Sequence, residues 1–201
     1  MPATPAPRLV ERNRRAARAE VARIGVRLFL ERGFDATTMD DVAAAAGVSR
    51  RTLFRYFGSK EEVALGHLSG LGDELAAALR AQPADADVWD ALTAAFAQVL
   101  PTELADDDGA ARALSQMVES TATLRAAHAD KHRLWIDALS PVAAERLTGS
   151  PDAQLAARAV VGTVLACLDA ATHEWLRSDD DSGRGIHELA LTALTAVRGT
   201  P

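Results

Sequence analysis

Apolar residues recur three and four positions apart along the chain, and no stretch sustains the every-other-residue alternation of a half-buried strand. That periodicity restricts the protein to an all-α fold, with proline and glycine acting as stops between helices. A first helix is expected from about Glu11 to Glu31, with Ala17, Val21, Ile24 and Leu28 on one stripe, ended by Gly33. A short helix follows the Thr38 cap, where Thr38-Met39-Asp40-Asp41 resembles a capping box, and Gly47 breaks it. A third runs from the Ser49 cap to about Tyr56. A fourth begins at Ser59, with Glu62 completing a second capping box, and is expected to continue to about Ala81 before Pro83.

Amphipathic helices are then expected near 85–100, 107–121, 122–148, 152–177 and 184–198. Their joints are Gln82-Pro83, Pro101, Gly149-Ser150-Pro151 and residues 179–183, and Pro141 should kink or divide the 122–148 segment. The triple-aspartate runs at 106–108 and 179–181 read as solvated loops. A chain of 201 residues can bury about 70% of its unfolded surface, enough for a core without staples. Its single cysteine, Cys167, excludes an intrachain disulfide and a cysteine-cluster zinc site, and reads as a small buried hydrophobe. The longest uncharged candidate for a membrane helix, Ala159 to Leu168, stops at Asp169, short of the ~20 residues a span needs. The first residues lack the apolar core of a secretory signal, so a cytoplasmic location without membrane contact is expected.

Charge is divided unevenly. Residues 1–60 hold 12 Lys and Arg against 6 Asp and Glu, whereas residues 61–201 hold 10 against 22. Five of the nine aromatics (Phe29, Phe34, Phe54, Tyr56 and Phe57) also lie in the first 60 residues. A small basic module on a larger acidic body follows, and the basic part would attract a phosphate backbone by releasing its counterions.

Residues 38–57, TMDDVAAAAGVSRRTLFRYF, combine two short capped helices with a glycine between them, the spacing of a helix-turn-helix. Val42, Ala43 and Ala46, with Val48 and Leu53, supply the apolar seam that fixes the crossing. The second helix displays Arg50, Arg51, Thr52 and Arg55, with Tyr56 and Lys60 beyond. Arginine can bind guanine edges in bidentate fashion, at about 1–3 kcal/mol of discrimination per good pair. Ser, Thr, Tyr and Lys hold phosphates, as do the free amides of helix N-termini capped by Thr38 and Ser49.

Residues 13–60, and especially the stretch GFDATTMDDVAAAAGVSRRTLFRYFGSKEE that begins at Gly33 and ends at Glu62, resemble the DNA-binding domain of TetR-family transcriptional regulators. The likeness rests on the ERGF phrase ending the first helix, the Thr-capped helix, AGVS at the turn and the LFRYFGSKEE exit. It covers about a quarter of the chain, and the remainder matches only in length and helical character. The resemblance implies an all-α fold of about nine helices. A helix-turn-helix DNA-binding domain would occupy 8–58, and an effector-binding and dimerisation domain 59–201. It implies that Arg50, Arg51 and Phe54 face bases, and that Thr38, Ser49, Thr52, Arg55, Tyr56 and Lys60 touch phosphate or sugar. Arg51 stands where many relatives carry a small residue, so base readout and phosphate contact both stay open for it. Phe54 replaces a frequent tyrosine and so lacks the hydroxyl. Arg8, Arg12, Arg14 and Arg15 form a basic arm that either follows the DNA or is disordered.

In the body, segment 152–177 is apolar on two faces, Val161, Val164, Leu168 and Trp175 on one and Ala156, Ala159, Thr163, Ala166 and Ala170 on the other. The last helix offers Ile186, Leu189, Ala190, Ala193, Leu194 and Val197. The resemblance implies that these two helices form a two-fold homodimer interface. It also implies a cavity for a small apolar or aromatic effector, with Trp89, Thr93, Phe96, Met117, His128, His132, Trp135 and Trp175 as candidate liners. His128 and His132 lie four apart on one helix face, a metal-capable spacing. No further acidic or thiol ligand is evident beside them, so no metal site and no cofactor are assigned. His173-Glu174 reads as a polar pair at a helix end. The expected function is that of a ligand-responsive repressor, dimeric on a pseudo-palindromic DNA operator and released by its effector. The alternatives are an all-α protein-interaction module and a small enzyme, although the chain has no Gly-rich phosphate loop, nucleophile elbow or HExxH phrase.

Overall fold

The computed structural model describes residues 9–99, 108–178 and 185–199, and among them every regular element is helical. Arg8, Pro101, Asp106, Asp107 and the Asp179–Asp181 run lie outside the described residues. Three helices open the chain: α1 (Leu9–Arg32), α2 (Met39–Ala45) and α3 (Arg50–Tyr56). Then come α4 (Lys60–Ala64), a 3₁₀ turn (Gly66–Leu68) and α5 (Leu71–Ala81). The body continues with α6 (Val88–Val99), α7 (Asp108–Ser120), α8 (Ala122–Ala144), α9 (Ala153–Arg177) and α10 (Ile186–Arg198).

The first helix buries Val21, Ala22, Leu28 and Phe29, while Ala17 of the expected stripe is exposed and Ile24 half-buried. These residues join Phe34, Val42, Ala43, Leu53, Phe57 and Val63–Leu65 in one apolar cluster. The cluster does not end with the head: Val118 of α7 and Leu124 of α8 are part of it, so the head is seated on the body through packed side chains. Here α1 and α4 cross closely, for a Cβ added at Gly25 would stand 2.3 Å from Val63 Cγ1.

The single helix expected from Ser59 to Ala81 is broken. Helix α4 stops at Ala64, a 3₁₀ turn follows, and Gly70 at φ +83° starts α5 in a new direction. Apolar periodicity runs on through the break because both halves face the core, which is why pattern alone joined them. Pro141, by contrast, does not divide α8, which runs unbroken from Ala122 to Ala144.

The body core gathers Leu75, Leu79, Leu92, Phe96, Trp135, Leu139, Val161 and Val164 from α5, α6, α8 and α9. Two helix C-termini are closed by arginines from distant sequence. Arg146 donates to the carbonyls of Leu79 (2.8 Å), Gln82 (2.9 Å) and Pro83 (2.5 Å) at the end of α5. Arg112 donates to those of Leu176 and Ser178 at the end of α9 and lies 5.2 Å from the Trp175 ring centre. Cations there satisfy orphan carbonyls and oppose the negative end of the helix dipole. Arg198 reaches Asp87 and Asp90, tying the end of α10 to the start of α6.

An 18-residue window of Ala153–Arg177 reaches a mean hydropathy of 1.5, long and apolar enough by composition alone to cross a membrane, with Asp169 breaking its uncharged run as the sequence shows. Its buried face (Ala157, Val161, Val164, Leu165, Cys167 and Ala171) is nonetheless packed against helices of this chain. Burial also pushes the Cys167 thiol above its ordinary pKa, in keeping with an inert apolar residue.

Candidate nucleic-acid interface

Helices α2 and α3 are each only seven residues long, so caps and tertiary packing must hold them. Thr38 closes a full capping box: its hydroxyl accepts from the Asp41 amide at 3.1 Å, and Asp41 Oδ2 accepts from the Thr38 amide at 2.8 Å. The Thr38 hydroxyl and amide together hold the Asp41 carboxyl below the usual carboxylate range. At the other end, Val48 N–H donates to Ala43 and Gly47 N–H to Ala44, with Gly47 at φ +65°. That pair of bonds is a Schellman closure, and the left-handed residue it needs is a glycine. Ser49 then caps α3, accepting from the Thr52 amide at 3.1 Å. At the next cap, Ser59 accepts from the Glu62 amide, but Glu62 returns its bond to the Gly58 amide rather than to Ser59.

The seam places Val42, Ala43 and Leu53 in the core and half-buries Ala46 and Val48. With Leu53 inward, α3 turns Arg50, Arg51, Phe54 and Arg55 to solvent, and Phe54 is 42% exposed despite its ring. Of the expected DNA-contacting residues, Thr38, Ser49, Arg50, Arg51, Phe54 and Arg55 are exposed, whereas Thr52, Tyr56 and Lys60 are half-buried. Arg50 lies 3.2 Å from Asp40 and 5.5 Å from the Phe54 ring centre. An exposed ion pair is worth at most about 1 kcal/mol, less than a bidentate guanine contact at about 1–3 kcal/mol, so Asp40 does not withhold Arg50 from a base. Tyr56 is half-buried against the head cluster, with Arg55 5.4 Å from its ring centre. Lys60 is more constrained: its ammonium donates to the Phe34 carbonyl at 2.8 Å and sits 4.6 Å from the Phe34 ring centre. Arg12, Arg14 and Arg15 of the basic arm belong to α1 and are exposed there.

The candidate effector liners are not gathered round one cavity. Phe96 and Trp135 are buried in the body core, and Trp89 packs at its margin. Thr93 is half-buried on α6, Trp175 packs beside α10 and under Arg112, and Met117 lies against the head cluster. The His128 and His132 rings are tilted at 56° to each other with centres 4.4 Å apart, and the His132 ring centre stands 5.2 Å from that of Trp135. Two open grooves indent this region. One, of about 490 Å³, lies between α7 and α9, lined by Gln116, Met117, Glu119, Ser120, His173, Leu176 and Arg177. The other, of about 450 Å³, is bounded by Phe29, Leu30, Gly33 and Phe34 of the head and by Met117, Ser120 and Thr121 of the body. Of the predicted liners only Met117 lines these two grooves, and it lines both. His173 does not pair with Glu174: its Nε2 lies 3.1 Å from Glu119 on α7.

Residues 16–65 match the family model for bacterial regulatory proteins of the TetR family, and residues 86–198 match the model of the MftR C-terminal domain. The chain is 34% identical over 181 residues to the HTH-type transcriptional regulator TcmR of Streptomyces glaucescens, covering 87% of this chain and 80% of that one. It is 29% identical over 175 residues to the mycofactocin biosynthesis transcriptional regulator MftR of Mycobacterium tuberculosis, covering 86% of each. A crystal structure of a TetR-family regulator from Mesorhizobium loti superposes with a TM-score of 0.55 at 21% identity, over 91% of this chain and 94% of that one. The outward basic helix thus belongs to a DNA-binding head, and the chain is a member of the TetR family of transcriptional regulators.

Proposed function

We propose that the protein is a ligand-responsive repressor, cytoplasmic, that binds a pseudo-palindromic operator as a two-fold dimer. Residues 8–58 read DNA and residues 59–201 sense the effector and pair the copies. The observation that carries this reading is the outward face of α3. Four side chains suited to a groove (Arg50, Arg51, Phe54 and Arg55) stand exposed on a helix whose opposite side, Leu53, is buried. Arg50, Arg51 and Phe54 face base edges, while Thr38, Ser49, Thr52, Arg55, Tyr56 and Lys60 hold the backbone. We assign the chain no catalytic residue.

Pairing is supported by what α9 and α10 leave uncovered. Leu155, Ala159, Ala166 and Ala170 are exposed on α9, and Leu191 and Val197 on α10. Small residues let helices approach closely, and a two-fold pair there would set two recognition helices about 34 Å apart, one turn of duplex. An apolar or aromatic effector in the α7–α9 groove would touch Met117 and Ser120, which also line the groove against the head. Displacing them would shift α1 and the α1–α2 loop. The effector releases DNA only by as much as it prefers the misfitting state.

Fluorescence anisotropy on a duplex selected from random DNA tests the reading. Affinity is expected to fall by ~10³-fold or more between 50 and 200 mM salt. Arg50→Ala should cost about 1–3 kcal/mol on the selected site and little on unrelated DNA. Tyr56→Phe keeps the ring packed and removes only the hydroxyl, so it should weaken binding to both duplexes alike. Salt-independent binding, or an Arg50→Ala protein that discriminates between them as well as the wild type does, would overturn it.

A further inference from the structure

Between α8 and α9, close to where Leu124 joins the body to the head, three metal-ligating side chains converge. His128 and His132 present their rings from successive turns of α8, and Asp169 reaches across from α9 with Oδ2 3.4 Å from His132 Nδ1. One ligand atom from each of the three lies within 4.8 Å of the others. A tetrahedral zinc with bonds of about 2.0–2.1 Å sets neighbouring ligand atoms roughly 3.3 Å apart. The Asp169–His132 edge already has that length, and the remaining contraction is within the reach of side-chain rotation. The site is also supported: His132 is 14% exposed and braced by Trp135, whereas Asp169 at 45% leaves one side open to water. Both helices are long and packed against each other, so their separation is fixed by the body core rather than by the three residues themselves.

We propose that His128, His132 and Asp169 form a binding site for a divalent first-row transition ion, with zinc as the fitting occupant and a fourth position left to water or an anion. Two imidazoles exclude magnesium and calcium, which take oxygen ligands. A single carboxylate with two histidines matches the three-ligand sets that hold zinc with an open position. The site does not depend on the DNA-binding reading, since neither α2 nor α3 contributes to it.

The test uses the full chain, stripped with chelator and titrated with cobalt(II). Visible ligand-field bands unlike those of the aqueous ion should saturate at one ion per chain and vanish on adding zinc. Asp169→Asn and His132→Gln should each weaken cobalt binding by more than ~100-fold, beyond the roughly 10–100-fold loss seen when a merely supporting group is removed. His187→Gln, on α10 and outside the cluster, should leave it unchanged. Asp169 is the more exposed of the two, so its variant keeps the test valid if the His132 protein misfolds. A cobalt spectrum identical to the aqueous ion, or binding that survives Asp169→Asn at full strength, would overturn the proposal.

Discussion

Gly47→Ala isolates the physics of the head's turn. The residue sits at φ +65°, and a Cβ there would meet nothing within 4 Å, so the cost of a side chain is conformational and not steric. Holding an L-residue in the left-handed region costs about 1–2 kcal/mol. Removing glycine's freedom from the unfolded chain returns about 0.4–1 kcal/mol. The net loss expected is ~1 kcal/mol. With a urea m-value of about 3 kcal/mol/M, the midpoint should fall by roughly 0.3 M at unchanged m. Gly47→Asn should lose less than half as much, because asparagine tolerates this backbone region. Urea unfolding followed by far-UV circular dichroism reads both. Equal losses for alanine and asparagine, or no loss for alanine, would refute the assignment of Gly47 to a strained Schellman closure.

Adding bulk at the α1–α4 crossing should be costly: Gly25→Val must displace Val63, and a melting curve should register about 1–3 kcal/mol of destabilisation. Arg146→Met strips three carbonyls at the end of α5 of a charged donor, and a loss of about 1.5–3 kcal/mol is expected by urea unfolding. The Thr38 cap gives a pH signature. Its bonds depress the folded-state pKa of Asp41, so their stabilisation is complete above the unfolded carboxylate pKa and fades as pH falls through the folded value. Comparing unfolding of the wild type and Asp41→Asn from pH 7 to pH 3 should show the gap between them closing with acid; a gap independent of pH would contradict the cap. Thr38→Ala should cost ~1 kcal/mol at pH 7.

The head was legible in the sequence because its determinants are short-range. Thr38 meets Asp41, Ser49 meets Thr52, Gly47 N–H donates to Ala44 and Val48 N–H to Ala43, all within five residues. The inward side of α3 could be read the same way, since Leu53 follows the seam at helical spacing. What could not be read depends on contacts across the chain. Arg146 caps residues 63 to 67 positions earlier, and Arg112 caps a helix end 64 to 66 positions later, yet both look like ordinary surface arginines in one dimension. The i, i+4 histidines were visible, but their carboxylate partner lies on another helix, 37 positions beyond His132. The break after α4 escaped for a different reason: glycines at 66 and 70 interrupt the backbone without interrupting the apolar pattern. Aromatic residues suited to an effector wall, such as Trp135 and Phe96, proved equally suited to a filled core, and composition does not separate the two.

Hydroxyl-radical footprinting on a duplex selected from random sequence tests most directly whether two copies of α3 lie in successive major grooves. Two protected half-sites with centres about one helical turn apart are expected, related by an approximate dyad and lost together in Arg50→Ala. A single protected patch, or protection that does not change when Arg50 is removed, would contradict it.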